Sequence, residues 1–187
     1  REDDGKLANL LSEAQKVAAV LAPKIDALYG ILVTGQGDRD KLGSTEKRWQ
    51  AGYDLAMGRV LAAKIRTDAY NIMLAQAKSG MKFKDPKNDT WKLVQSDAVS
   101  NVGSQTEKLA GQARMYLERV VRDHPDTPWA MIAQEELKTP LGYEWHEMHT
   151  GVNAPKNNGG GGGNPQRSDD KMRNLAPPKP KRPLTNL

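Results

Sequence analysis

Apolar side chains recur at steps of three and four over most of the first 140 positions, which predicts a series of amphipathic helices. In residues 4–33 the stripe is Leu7, Leu10, Leu11, Ala14, Val17, Ala18, Leu21, Ile25, Leu28 and Leu32, read as one face. Asp3 or Asp4 supplies a cap at its start. Pro23 lacks an amide donor and crowds the preceding turn, so a kink or break is expected near 21–23. Gly35, Gly37 and the charged run 38–41 predict a loop.

A second helix is expected over 45–78, capped by Ser44. Its stripe begins with Trp49, Tyr53, Ala56, Met57, Val60 and Leu61 and continues through Ile65, Ala69, Ile72, Met73 and Ala77. Gly52 and Gly58 interrupt good helix formers at a cost of up to about 1 kcal/mol each. Close packing against another helix would be a reason to keep them. Ser79-Gly80 ends the run.

The period then changes from 3.6 to two. Residues 81–84 and 90–94 alternate apolar and polar side chains around the turn-forming stretch 85–89, which predicts a short β-hairpin packed on the helices. A helix over 104–123 follows, with Leu109, Ala113, Tyr116, Leu117, Val120 and Val121 inward. Asp126 or Thr127 caps the next one, Pro128 suits its first position, and it runs to about residue 138 with Trp129, Ile132, Ala133 and Leu137 inward. So short a connection makes a helical hairpin.

Composition narrows the chemistry. There are 187 residues, 5% of them aromatic, with a single Phe and no Cys. A core must therefore come from Ala, Leu, Val and Met, which suits packed helices. The missing thiols exclude disulfides, zinc-thiolate sites, iron–sulfur clusters and a cysteine nucleophile. No apolar run approaches the roughly 20 residues needed to cross a bilayer, so a transmembrane span is excluded.

The net charge of +5 is unevenly placed. Residues 1–150 are neutral, and the excess belongs to residues 151–187, with seven basic side chains against two acidic ones. A neutral body lacks the electrostatic footprint of a duplex-binding fold, so nucleic acid is not the expected partner. The segment 151–187 holds five successive glycines, Gly159 to Gly163, and a basic Pro-rich end around Lys179, Lys181 and Arg182. Its scarcity of apolar side chains predicts disorder over 153–187, with local polyproline II geometry. Three roles suit this tail: a linker end, a docking peptide for an aromatic groove, or an electrostatic clamp on anionic polymer or lipid. The chain opens on Arg1-Glu2-Asp3-Asp4, which reads as the interior of a longer protein or a processed product.

Candidate reactive constellations are few. His146 and His149, beside Glu144 and Glu147, would share a face if helical and could ligate zinc or copper. The spacing lacks a metalloprotease pattern, and a polar, solvated helix end is the favoured reading. His124 reads as a helix C-terminal residue. Gly35 and Gly37 lack the third glycine of a dinucleotide cradle, and no Gly-x-Ser-x-Gly elbow is present. No catalytic, cofactor or metal residue is assigned. Asn88-Asp89-Thr90 fits the short glycosylation sequon. Among the four tryptophans, Trp145 is expected to be exposed, and with Lys179, Lys181 and Arg182 it is the candidate partner-binding set.

Residues 113–133 resemble a helix-turn-helix unit of the tetratricopeptide class, with small residues at helix contacts and proline at the turn. Only one such unit is visible, so it must pack on the preceding helices. The strings RWQAGYDLAMGR (48–59), HPDTPWA (124–130) and TPLGYEW (139–145) resemble the C-terminal helical region of large bacterial proteins that carry an upstream von Willebrand factor A (VWA) domain. That resemblance covers most of residues 45–150. It implies a tail module without the VWA metal motif Asp-x-Ser-x-Ser, a protein partner such as the upstream domain, and an exported, extracytoplasmic setting. The expectation is a mainly α small helical bundle over 1–150, with one β-hairpin and a tetratricopeptide-like helical hairpin. It should act as a non-enzymatic interaction or scaffold module. The alternative is nucleic-acid or anionic-surface binding through the tail.

Overall fold

A computed structural model describes residues 2–42, 46–99 and 103–151. The described residues are mainly helical, in the order α1 (Glu2–Thr34), α2 (Gln36–Lys41), α3 (Lys47–Lys78), β1 (Thr90–Ser96), α4 (Ser104–Asp123), α5 (Pro128–Lys138) and β2 (Gly142–Met148). The predicted cap Ser44 and the tail 152–187 lie outside them.

The long helix α3 is the centre. Met57, Leu61, Ile65 and Met73 on it are at most 2% exposed. Met57, Leu61 and Ile65 pack with Ala110, Ala113 and Tyr116 of α4, while Leu55, Leu117, Val120 and Ala133 extend the core toward α5. Gly58 marks the closest approach. A Cβ there would sit 2.6 Å from Leu117 Cγ and 3.3 Å from the Ala113 carbonyl oxygen. Gly52 has no such neighbour, with Trp129 Nε1 the nearest atom at 4.0 Å. The close-packing reason therefore holds for one of the two glycines.

Helix α1 runs without interruption through Pro23, against the expected break. Pro23 and Ala19, the residue four before it, are both exposed. The ring and the carbonyl it frees thus face water, where neither costs a buried hydrogen bond. Contacts with α3 on the other side hold the helix in one piece. Tyr53 donates to the Leu32 carbonyl at 2.6 Å, and Lys64 pairs with Asp26 at 2.6 Å. Residues 36–41 form α2 rather than a loop, because Arg39 anchors them to the buried Asp54.

The sheet has two antiparallel strands, but its partners differ from the predicted hairpin. β1 pairs with β2, in the register Thr90↔Met148, Leu93↔Trp145 and Ser96↔Gly142. Residues 81–89 form no strand. Their place beside the sheet is held by side chains instead. Glu147 accepts the Lys84 and Asp85 amides at 2.7 and 3.2 Å, and Phe83 stacks on Trp91 with ring centroids 5.1 Å apart. A hairpin rule sees only neighbouring segments, whereas these partners lie about 50 residues apart. Gly142 admits the pairing closely, since a Cβ there would lie 2.7 Å from the Ala98 carbonyl oxygen.

Candidate functional site

The candidate site is the outer side of α1. The ten-residue stripe expected to form one face divides into two, with Ala14 half-buried between the parts and with Tyr29 and Ile31, outside that stripe, joining one part each. Leu11 and Ala18 are buried toward α3, and Ile25, Tyr29 and Leu32 are half-buried on the same side. Leu7, Leu10, Val17, Leu21, Leu28 and Ile31 are exposed, Leu10 by 69% and Ile31 by 68%. The physical reason is angular. At 3.6 residues per turn the ten positions span too wide an arc for one neighbouring helix to cover.

The exposed set has its own rhythm. Together with Ala14 and Lys24, its members are separated by alternating steps of three and four over residues 7–31, the heptad spacing of a helix seam. That signal was present in the sequence and is stronger than a general amphipathic pattern. The buried stripe on the adjacent face obscures it when both are read as one.

A long depression accompanies this face between α1 and α3. One part, about 520 Å³, is lined by Leu28, Ile25, Ala56, Val60 and Trp129 among others. A second, about 380 Å³, is lined by Ala14, Val17, Leu21, Thr67, Tyr70 and Tyr143. Arg66 borders both. Its guanidinium donates to the Pro140 and Thr139 carbonyls at 3.0 Å each and pairs with Glu136 at 2.5 Å. Arg59 lies 3.4 Å from the same carboxylate. These groups tie α3 to the end of α5 and the start of β2, so the ionisable atoms of the depression already have structural partners.

The segment Gly5–Lys41 contains a helical stretch of mean hydropathy 1.6, long and apolar enough to cross a bilayer, and only 6% of it is buried. This corrects the expectation that no part of the chain could span. Lys24 and Asp26 interrupt the run but do not outweigh the Val, Leu, Ile and Ala around them.

A second polar centre lies inside the bundle. Asp54 is fully buried and accepts from Arg39 of α2 at 2.7 and 3.1 Å. Arg119 of α4 also grips it, donating from Nε at 2.7 Å and from a second guanidinium nitrogen. Arg119 stacks over Tyr116, 4.9 Å from the ring centroid. The bond to Asp54 pushes the Arg39 pKa above its ordinary value. Burial raises Tyr53 to about 12 and moves Tyr116 in the same direction. One carboxylate thereby joins α2, α3 and α4. Its full enclosure by two guanidiniums suits holding rather than proton transfer.

Trp145 is not the exposed anchor expected of it. It is half-buried in β2, and its indole N–H donates to the Met73 carbonyl at 3.1 Å. The exposed tryptophan is Trp49, at 65%. Lys179, Lys181 and Arg182 lie outside the described residues. His146 is on strand β2, so the helical face imagined for it with His149 does not form. His146 Nε2 contacts Glu144 at 2.6 Å, and His149 Nδ1 contacts the Lys87 carbonyl at 2.6 Å. Among the described residues no group of three His, Asp or Glu is placed to hold a metal. His124 is the buried C-cap of α4. Asn88 of the sequon donates its side-chain amide to Glu147 at 3.0 Å.

In comparisons with known proteins, no family model, no curated protein and no solved structure matched this chain.

Proposed function

We propose that this chain is a non-enzymatic protein-interaction or scaffold module whose working surface is the outer face of α1 with the depression beside it. The observation that supports this reading is the exposure of six large aliphatic side chains in one line on a helix whose other side is packed. A contiguous apolar patch of this kind marks an interaction site rather than a solvated surface. The polar groups nearby favour the same reading. Arg66 and Glu136 hold the scaffold together and leave no free acid–base pair in the depression.

In the larger reading the module sits downstream of a VWA domain and contributes an interaction surface to that architecture. This part rests on the resemblance of the strings 48–59, 124–130 and 139–145, and the α4–α5 hairpin fits its tetratricopeptide-like unit. The first string lies in the opening half of α3 and includes Asp54 and Gly58, so its composition also serves the fold.

The test is the apparent mass of the tagged chain in an extract of the cell that makes it. The chain should migrate in an assembly well above 20.6 kDa. The variant L21E/L28E should migrate alone while keeping its helical circular dichroism. Migration of the unaltered chain at its own mass would contradict the proposal.

A further inference from the structure

We infer that a second copy of this chain covers the outer seam of α1, in an antiparallel, two-fold symmetric pairing of the two α1 helices. The inference rests on the reading of that face as an interface and adds its occupant. The one charged member of the seam decides the geometry. Lys24 stands in the heptad line and has no hydrogen bond or ion pair among the described residues. A parallel pairing in register would set Lys24 against Lys24, a like-charge contact in the middle of an apolar interface.

An antiparallel pairing resolves this without any change of sequence. With the two-fold axis crossing the seam at the level of residue 19, Val17 faces Leu21 of the other copy, and Leu10 faces Leu28. Lys24 faces Ala14, the smallest side chain of the seam, and so gains room for its stem. Glu13 precedes Ala14 and is exposed, with only the equally exposed Lys16 beside it, at 2.7 Å. The Lys24 ammonium therefore lies beside the other copy's Glu13, twice by symmetry. Val20, 60% exposed, falls next to the axis, where its counterpart meets it. Large residues meet large, the cation meets the smallest neighbour and an anion, and every pair occurs twice. A two-fold interface demands that self-complementarity.

A bilayer is the rival occupant of the same helix. Burying Lys24 and Asp26, the two charges inside the apolar stretch, near a bilayer centre is unfavourable for each charge. At the rim of a helix pair both can stay in contact with water.

The test is light scattering on the purified 187-residue chain over a wide concentration range, for four proteins. The unaltered chain should give twice 20.6 kDa. E13K and K24E each place like charges together and should raise the dimer dissociation constant about tenfold or more. E13K/K24E restores the attraction with the charges exchanged and should return to within about twofold of the original. All these positions are exposed, and circular dichroism checks that each variant is folded.

A monomer at every concentration overturns the inference, as does a dimer indifferent to both single changes. Flotation of the monomer with phosphatidylglycerol vesicles overturns it in favour of a membrane surface. A purified monomer that still enters a face-dependent assembly in the cell extract overturns self-pairing but leaves the interaction reading standing. Monomeric behaviour in both settings removes both.

Discussion

Gly58 and Gly52 occupy equivalent-looking positions in one helix but have different physical roles. Adding a methyl at Gly58 drives it into Leu117 and toward the α4 backbone, so Gly58→Ala should destabilise the fold by about 1–3 kcal/mol. Gly52→Ala meets open space and gains helix propensity, so it should be neutral or stabilising by up to about 1 kcal/mol. Urea denaturation of the two variants checks both signs. The sequence shows that two glycines sit in a helix. Which of them faces a neighbour depends on where α4 crosses α3, and no local pattern carries that.

Tyr53 offers a pH test at the same scale. Burial keeps its phenol neutral in the folded state up to about pH 12, two units above the unfolded value of 10. Between those values the unfolded chain has lost the proton and the folded chain has kept it, so unfolding is favoured progressively as pH rises. Folding stability should be unaffected by this group below pH 10 and should decline from 10 to 12. Tyr53→Phe removes the ionisation along with the bond to Leu32, so it should start less stable and decline less across that window. Denaturation midpoints measured through the window for both proteins test the difference in slope.

At the scale of elements, α2 depends on one carboxylate. Asp54→Asn keeps the shape but removes the carboxylate between Arg39 and Arg119, leaving only the exposed Asp40 beside Arg39. It should cost about 3–5 kcal/mol. Amide exchange over residues 36–41 should accelerate more than in the rest of the bundle, because Arg39 is the link from α2 to the core. The sequence of this short helix looks like a loop for a related reason. Six residues with two glycines before or within them have little propensity to form a helix alone. The tether that stabilises them is an ion pair with a residue fifteen positions away.

The other elements differ in how far they could be read. α3, α4 and α5 follow from period and breakers, with the Thr127 cap at the start of α5, and their predicted spans agree with the structure to within two residues at each end. The strand at 90–94 was also legible, since Trp91, Leu93 and the alternating polar residues mark it. Its partner was not. Glu144, His146 and Glu147 give Gly142–Met148 a polar appearance that masks the alternation of Tyr143 and Trp145 within it. Long-range pairing is specified by burial against α3, which the Trp145 bond to Met73 and the Tyr70–Tyr143 contact supply only after folding.

For the whole molecule, the governing feature is that α1 is satisfied on one side only. The face toward α3 is closed by apolar packing and by the Asp26–Lys64 pair, in which the bond to Asp26 raises the lysine pKa. The adjoining face repeats a seam over four heptads whose large side chains are exposed, with the depression against α3 along one edge. A stable monomer would carry that surface as a solubility liability. Pairing two copies would convert it into buried area and extend the bundle across the two-fold axis, with the depression between α1 and α3 beside the new contact.

The arrangement of the two α1 helices can be read from distances between spin labels. Because the chain contains no cysteine, a single introduced one labels a single place per copy. Val20→Cys lies beside the proposed axis and Asn9→Cys lies far along the helix from it, both on exposed positions. At about 1.5 Å of rise per residue, the antiparallel pairing separates the two Asn9→Cys labels by roughly 30 Å along the axis and brings the two Val20→Cys labels nearly level on the same flank of the interface. Double electron–electron resonance should therefore give a clearly longer distance at position 9 than at position 20. Equal distances at the two positions, or no intermolecular dipolar signal at either, would contradict the account.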